Sequence, residues 1–80
     1  MDEKILAIVK MLQEIQEDTG VPKNVKEKIG ETMKILGEQT ENSMKASKAM
    51  QALESITEDA NMPSYNRMQL FNIISALEIV

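Results

Sequence analysis

The stretch Glu58–Leu77, EDANMPSYNRMQLFNIISAL, decides the fold, because it is the second copy of something earlier in the chain. A shift of 41 positions lays Leu53, Ile56, Glu58, Asp59, Pro63 and Leu77 on Leu12, Ile15, Glu17, Asp18, Pro22 and Leu36. Conservative matches join them: Met62 on Val21, Arg67 on Lys26, Leu70 on Ile29 and Ile74 on Met33. Each copy reads as an apolar stripe, an acidic turn, a proline and a second stripe, which is one helical hairpin written twice. The later copy also holds both aromatic residues, Tyr65 and Phe71, and the densest apolar run.

Working outward, Asp2 and Glu3 place negative charge where the N-terminal dipole of a first helix favours it. Ile5, Ile8, Leu12 and Ile15 then recur at helical spacing, one buried stripe that Val9 broadens. Asp18, Thr19 and Gly20 break this helix. Pro22 suits the first position of the next, since its missing N–H has no partner there in any case. Val25, Ile29, Met33 and Leu36 form the second stripe with Thr32 inside it, and Gly37 ends the helix. Gly30, in mid-helix, is unfavourable by about 1 kcal/mol against Ala and leaves room for a neighbouring helix. Ser43 is the expected N-cap of the third helix, whose buried positions are Ala46, Ala49, Leu53 and Ile56. Two alanines thus stand where the first copy has isoleucines, which allows close approach at that end. In the fourth helix Leu70, Ile73, Ile74 and Leu77 supply the stripe.

Four helices are predicted, near 3–17, 22–37, 43–58 and 63–79. Short loops make neighbours antiparallel, so the expected fold is all-α: a four-helix up-and-down bundle built from two repeated helical hairpins. One domain covers 1–80, with repeat units of about 2–37 and 43–80. A stacked solenoid is the runner-up, weakened because two repeats are few for that architecture.

Asn61-Met62-Pro63, Arg67, Asn72-Ile73-Ile74-Ser75 and Leu77-Glu78, with the earlier Val21-Pro22-Lys23-Asn24, resemble a small archaeal family, the uncharacterised protein family 0147. The resemblance runs through essentially the whole chain and departs from the pattern at Phe71, where Trp is usual. It implies a four-helix bundle in a cytoplasmic archaeal protein. It brings no activity, cofactor or catalytic residue.

Composition narrows the chemistry. Eighty residues with a formal charge of −4 and no cysteine make a small acidic domain without disulfide or thiolate zinc site. Seven methionines and two aromatic residues leave a core of aliphatic side chains. The first apolar run, Ile5–Val9, is too short for a signal peptide, and no segment is long enough to cross a bilayer. These features point to the cytoplasm.

With neither Cys nor His, the usual nucleophile–base pairs cannot form, so no enzymatic activity and no catalytic residue is expected. Ser43 and Ser47 beside Lys45 and Lys48 read as a cap and solvated helix residues. Tyr65 reads as a ring packed on the turn with its hydroxyl in water. No cofactor site is assigned.

Three further readings compete. Glu17, Asp18, Glu58 and Asp59 precede equivalent turns at one end of the bundle, and four carboxylates there suit a hard divalent cation. Asx turns and caps for the following helices, with Lys26 and Arg67 as counter-charges, account for the same residues without an ion. Lys23, Lys26, Lys34, Lys45 and Lys48 form a candidate nucleic-acid surface, but Glu27 and Glu31 interrupt it and no aromatic side chain interleaves. The leading reading is a protein-interaction or structural module. No charged residue lies between Arg67 and Glu78, and Phe71, Ala76, Ile79 and Val80 flank the stripe of the fourth helix with surplus apolar surface. The expected occupant is a protein, with a homodimer favoured over a foreign partner.

Overall fold

A computed structural model describes residues 2–80. Four helices order them: α1 (Glu3–Glu17), α2 (Lys23–Leu36), α3 (Asn42–Ile56) and α4 (Ser64–Leu77), with no strand among the described residues. Each helix packs on two neighbours in the ring α1–α2–α3–α4, which α4 closes against α1; the diagonal pairs stay apart. The α1–α2 and α3–α4 turns lie at one end, where Asn24 donates to Asp59 (2.8 Å) and Asn66 donates to Asp18 (3.2 Å). This is the expected up-down-up-down bundle. The closest pair is α2 with α3. Small side chains at Ala46 and Ala49 shorten the reach of the core at the start of α3.

The core is built from the four stripes. Ile5, Ile8, Leu12, Ile15, Val25, Ile29, Leu36, Ala46, Ala49, Leu53, Ile56, Leu70, Ile73, Ile74 and Leu77 are buried together, and Met33 is packed against them from a half-buried position. Val21 and Met62, related by the repeat, close the turn end as buried plugs before the prolines. Fully burying one Leu or Ile stabilises by about 1.5–3 kcal/mol, so the stripes dominate the fold.

Of the four buried polar residues, Thr32, Lys45, Thr57 and Asn66, two lie deepest, and neither has an orphaned atom. Thr32 turns its hydroxyl back onto the Lys28 carbonyl at 2.8 Å. Asn66 stands where the first copy has Val25, and its amide reaches both Asp18 and the Gln69 side chain.

Helix ends differ from the sequence reading in ways that backbone hydrogen bonds explain. Pro22 and Pro63 are N-caps, not first helical residues: both are extended (ψ 150° and 145°), and their carbonyls accept from Lys26 and Arg67. A fixed φ near −60° serves either position, and neither needs an N–H. The third helix starts before Ser43, because the Glu41 carbonyl already accepts from the Lys45 amide at 3.0 Å. Ser43 is therefore inside the helix and caps nothing. Asp2 is the acidic side chain that caps, accepting from the Lys4 and Ile5 amides of α1. The third helix ends at Ile56 rather than 58 and the fourth at Leu77 rather than 79, where i→i+3 bonds (3.2–3.4 Å) replace helical ones. Gly30 makes room for a side chain, not a helix: a Cβ there would stand 3.0 Å from the Gln16 amide nitrogen.

Candidate docking surface

The turn end holds a polar cluster in which side chains bond across the two turns. Asp18 accepts from the Gly20 amide at 2.9 Å with one oxygen and from Asn66 with the other. Asp59 accepts from the Asn61 amide at 2.8 Å with one oxygen and from Asn24 with the other. Both are Asx turns. Neither caps the helix that follows, since the prolines hold that position. The backbone bond from Gly20, then the Asn66 amide, holds the Asp18 carboxyl below its usual range. For Asp59 the Asn24 amide acts first and the Asn61 backbone second, with Arg67 adding its charge.

All four oxygens thus have donors, and Glu17 and Glu58 are exposed. No group of three or more His, Cys, Asp or Glu among the described residues is placed to hold a metal ion. Arg67 completes the junction. Its Nε donates to the Thr57 carbonyl (2.8 Å), left open at the end of α3, and its Nη2 to the Asp59 carbonyl (2.6 Å), which also accepts from the Met62 amide.

The five lysines do not form one accessible basic face. Lys45 is only 8% exposed, which removes it from an open phosphate-binding surface. Lys48 faces Glu38 at 3.8 Å. Lys23 and Lys34 are exposed and Lys26 is half-buried.

The fourth helix presents its inner face through Asn66, Leu70, Ile73, Ile74 and Leu77. Its outer face carries Tyr65 (67% exposed), Met68 (63%) and Phe71 (53%), with Ile79 (71%) just beyond the helix. Of the four residues expected to flank the stripe, Phe71 and Ile79 are exposed. Ala76 and Val80 are half-buried against the core instead, Ala76 facing α1 across the seam between the two helices. Tyr65 stands in solvent rather than packing on the turn. Between α4 and α1 runs a shallow groove, apolar where Lys4, Ala7, Ile8, Met11, Ala76 and Ile79 line it. No helix is long and apolar enough to cross a membrane among the described residues.

A model of an uncharacterised protein family, UPF0147, matches residues 1–80. The chain belongs to the UPF0147 family. A UPF0147 protein of Sulfurisphaera tokodaii is 35% identical over 78 residues, covering 96% of this chain and 88% of that one. One from Thermococcus kodakarensis is 35% identical across 100% of this chain and 99% of its own. Among solved structures, the crystal structure of MMP1188, a protein of unknown function, superposes with a TM-score of 0.94 at 37% identity, covering 98% of this chain and 90% of that one. A UPF0147 protein of Thermoplasma acidophilum gives 0.87 at 27% identity, covering 95% and 91%. The family is uncharacterised and carries no assigned activity. The resemblance read from the proline and asparagine motifs is therefore the right one.

On this UPF0147 chain the sequence reading missed Met68 and Tyr65 as members of the outer face. The signal was present: Tyr65, Met68 and Phe71 recur every three residues, on the side of α4 opposite Asn66, Leu70, Ile73 and Leu77.

Proposed function

We propose that this UPF0147 protein acts by contact rather than by catalysis. It is a non-enzymatic cytoplasmic helical module that docks a protein through α4, a second copy of itself being the most economical occupant. One observation carries this reading. Between Arg67 and Glu78 the chain has no charge, and the outward side of α4 exposes Tyr65, Met68 and Phe71, followed by Ile79. Depletion of charge with enrichment in aromatic residues and methionine is the composition of an interface centre. The absence of Cys and His from the sequence supports the non-enzymatic half of the reading.

Light scattering on the purified protein at micromolar concentration tests it. The wild type is expected to self-associate, and Ile79→Lys to shift it toward monomer while its helical circular dichroism stays unchanged. A dimer indifferent to Ile79→Lys would count against docking through α4. A wild-type monomer would leave only a foreign protein as occupant.

A further inference from the structure

Two hollows lie end to end along the seam between α1 and α4 and share Met11. The first, of about 200 Å³, is lined by Lys4, Ala7, Ile8, Met11, Ala76 and Ile79. The second, of about 110 Å³, is lined by Met11, Glu14, Gln69, Asn72 and Ile73. The α1 wall of both is a single ridge, Lys4, Ala7, Met11 and Glu14, in helical steps of three and four. This ridge has a cation at one end, a carboxylate at the other, and a small and a long apolar residue between. Among the described residues neither Lys4 nor Glu14 joins an ion pair within the chain.

The ridge is complementary to its own reversal. Lys4 and Glu14 stand equally far from the point midway between Ala7 and Met11. A two-fold axis crossing α1 at that point brings Lys4 opposite the second copy's Glu14 and Ala7 opposite its Met11. The same operation repeats both pairs, as an isologous contact requires. The charged ends lie about 15 Å apart, at 1.5 Å per residue, so both pairs fall on the rim of the apolar centre.

We propose that two copies of this chain pair antiparallel along the α1–α4 seam, α1 against α1. Met11 of each copy drops past the other's Ala7 into the apolar hollow, and two Lys4–Glu14 pairs fix the register. The small residue beside the long one leaves space for this insertion, and methionine is the side chain best able to adapt to it. The inference rests on the docking reading above. It moves the centre of contact from the outer face of α4 to its border with α1, where Ala76 and Ile79 already line the hollow.

Sedimentation equilibrium on the full chain tests the register by charge reversal. Lys4→Glu and Glu14→Lys are each expected to weaken the dimer by about tenfold. The two-fold axis doubles each change, replacing two attractions with two repulsions. Lys4→Glu with Glu14→Lys on one chain restores every pair in reverse and is expected to return to within about threefold of wild type. A mere net-charge effect would move the two single variants in opposite directions, because one makes the chain more acidic and the other less. Both side chains are exposed, and circular dichroism checks that each variant is folded. A wild type monomeric at about 100 µM overturns the pairing. A dimer that ignores both reversals overturns the seam alone; if Met68→Lys with Phe71→Lys then dissociates it, docking through the outer face of α4 stands.

Discussion

Leu53 has no solvent exposure and belongs to the α3 stripe that meets the other three. Truncation to Ala removes the transfer energy of the lost carbons and leaves a cavity that four tightly joined helices close only in part. Leu53→Ala is expected to destabilise by about 2–5 kcal/mol in urea melts, a large share of the stability of a chain this short; less than half of one kcal/mol would mean the stripe is assigned wrongly. Arg67 is a different kind of anchor. Its planar guanidinium spans the Thr57 and Asp59 carbonyls, so Arg67→Ala leaves the Thr57 carbonyl without its donor and the Asp59 carbonyl with only the Met62 amide at 3.3 Å. Partial exposure lets water replace some of that loss, and the expected change is about 1–2 kcal/mol. Arg67→Lys is expected to recover less than half of it, because one ammonium cannot bridge two carbonyls with the same geometry. Buried apolar residues such as Leu53 were legible from spacing alone. Asn66 was not, since the repeat pairs it with Val25 and nothing local says that an amide there reaches across to Asp18. Nor was the burial of Lys45, a helical lysine that sequence pattern places on a solvated face.

Between elements, contacts are set by side chains that repeat arithmetic does not see. Gln16 of α1 donates to the Lys26 carbonyl of α2 at 3.2 Å, and its amide occupies the space above Gly30. Gly30→Ala gains about 1 kcal/mol of helix propensity but pushes Gln16 off its acceptor. The substitution is therefore expected to be nearly neutral alone and stabilising by about 1 kcal/mol in a Gln16→Ala background. Equal effects in both backgrounds would show that the two residues are not coupled. The turn–turn junction responds to acid. Asp18 and Asp59 both titrate below their usual range in the folded state, so around pH 4 the unfolded chain binds more protons than the folded one. Their contribution is complete above the ordinary carboxylate range, about pH 4, and disappears as pH falls through the folded values. The stability gap between wild type and Asp18→Ala with Asp59→Ala is thus expected to be constant from neutral pH to about pH 5 and to narrow below about 4. A gap that widens on acidification would reverse the sign. Two acidic turns at one end were evident from the Glu-Asp repeat. Their exchange of asparagine donors was not, because Asn24 and Asn66 differ by one position from exact equivalence.

At the scale of the molecule, the repeat made the topology legible: two hairpins, each with a stripe on both helices, have their apolar faces left over for one another. What it left open was which pairs pack most closely and where surface stays uncovered. Those depend on the differences between the copies, such as Ala46 and Ala49 replacing Ile5 and Ile8, rather than on their likeness. The same differences predict how the halves behave apart. The ring closes through α2–α3 and α1–α4, contacts that join one hairpin to the other, so each hairpin alone exposes the inner side of both its helices. Helices of 14 or 15 residues are marginal in water without such cover. The first half alone also lacks the Asn66 donor that its Asp18 uses, and the second lacks the Asn24 donor of Asp59. Peptides covering 1–40 and 41–80 are therefore expected to be largely unfolded by circular dichroism when separate, and to regain helix when mixed in equal amounts. The first half has the stronger stripe, with four large aliphatic residues in α1 where α3 has two alanines, and it should retain the greater residual helicity. A 1–40 peptide that melts cooperatively by itself would show that the hairpin, not the pair, is the unit of folding.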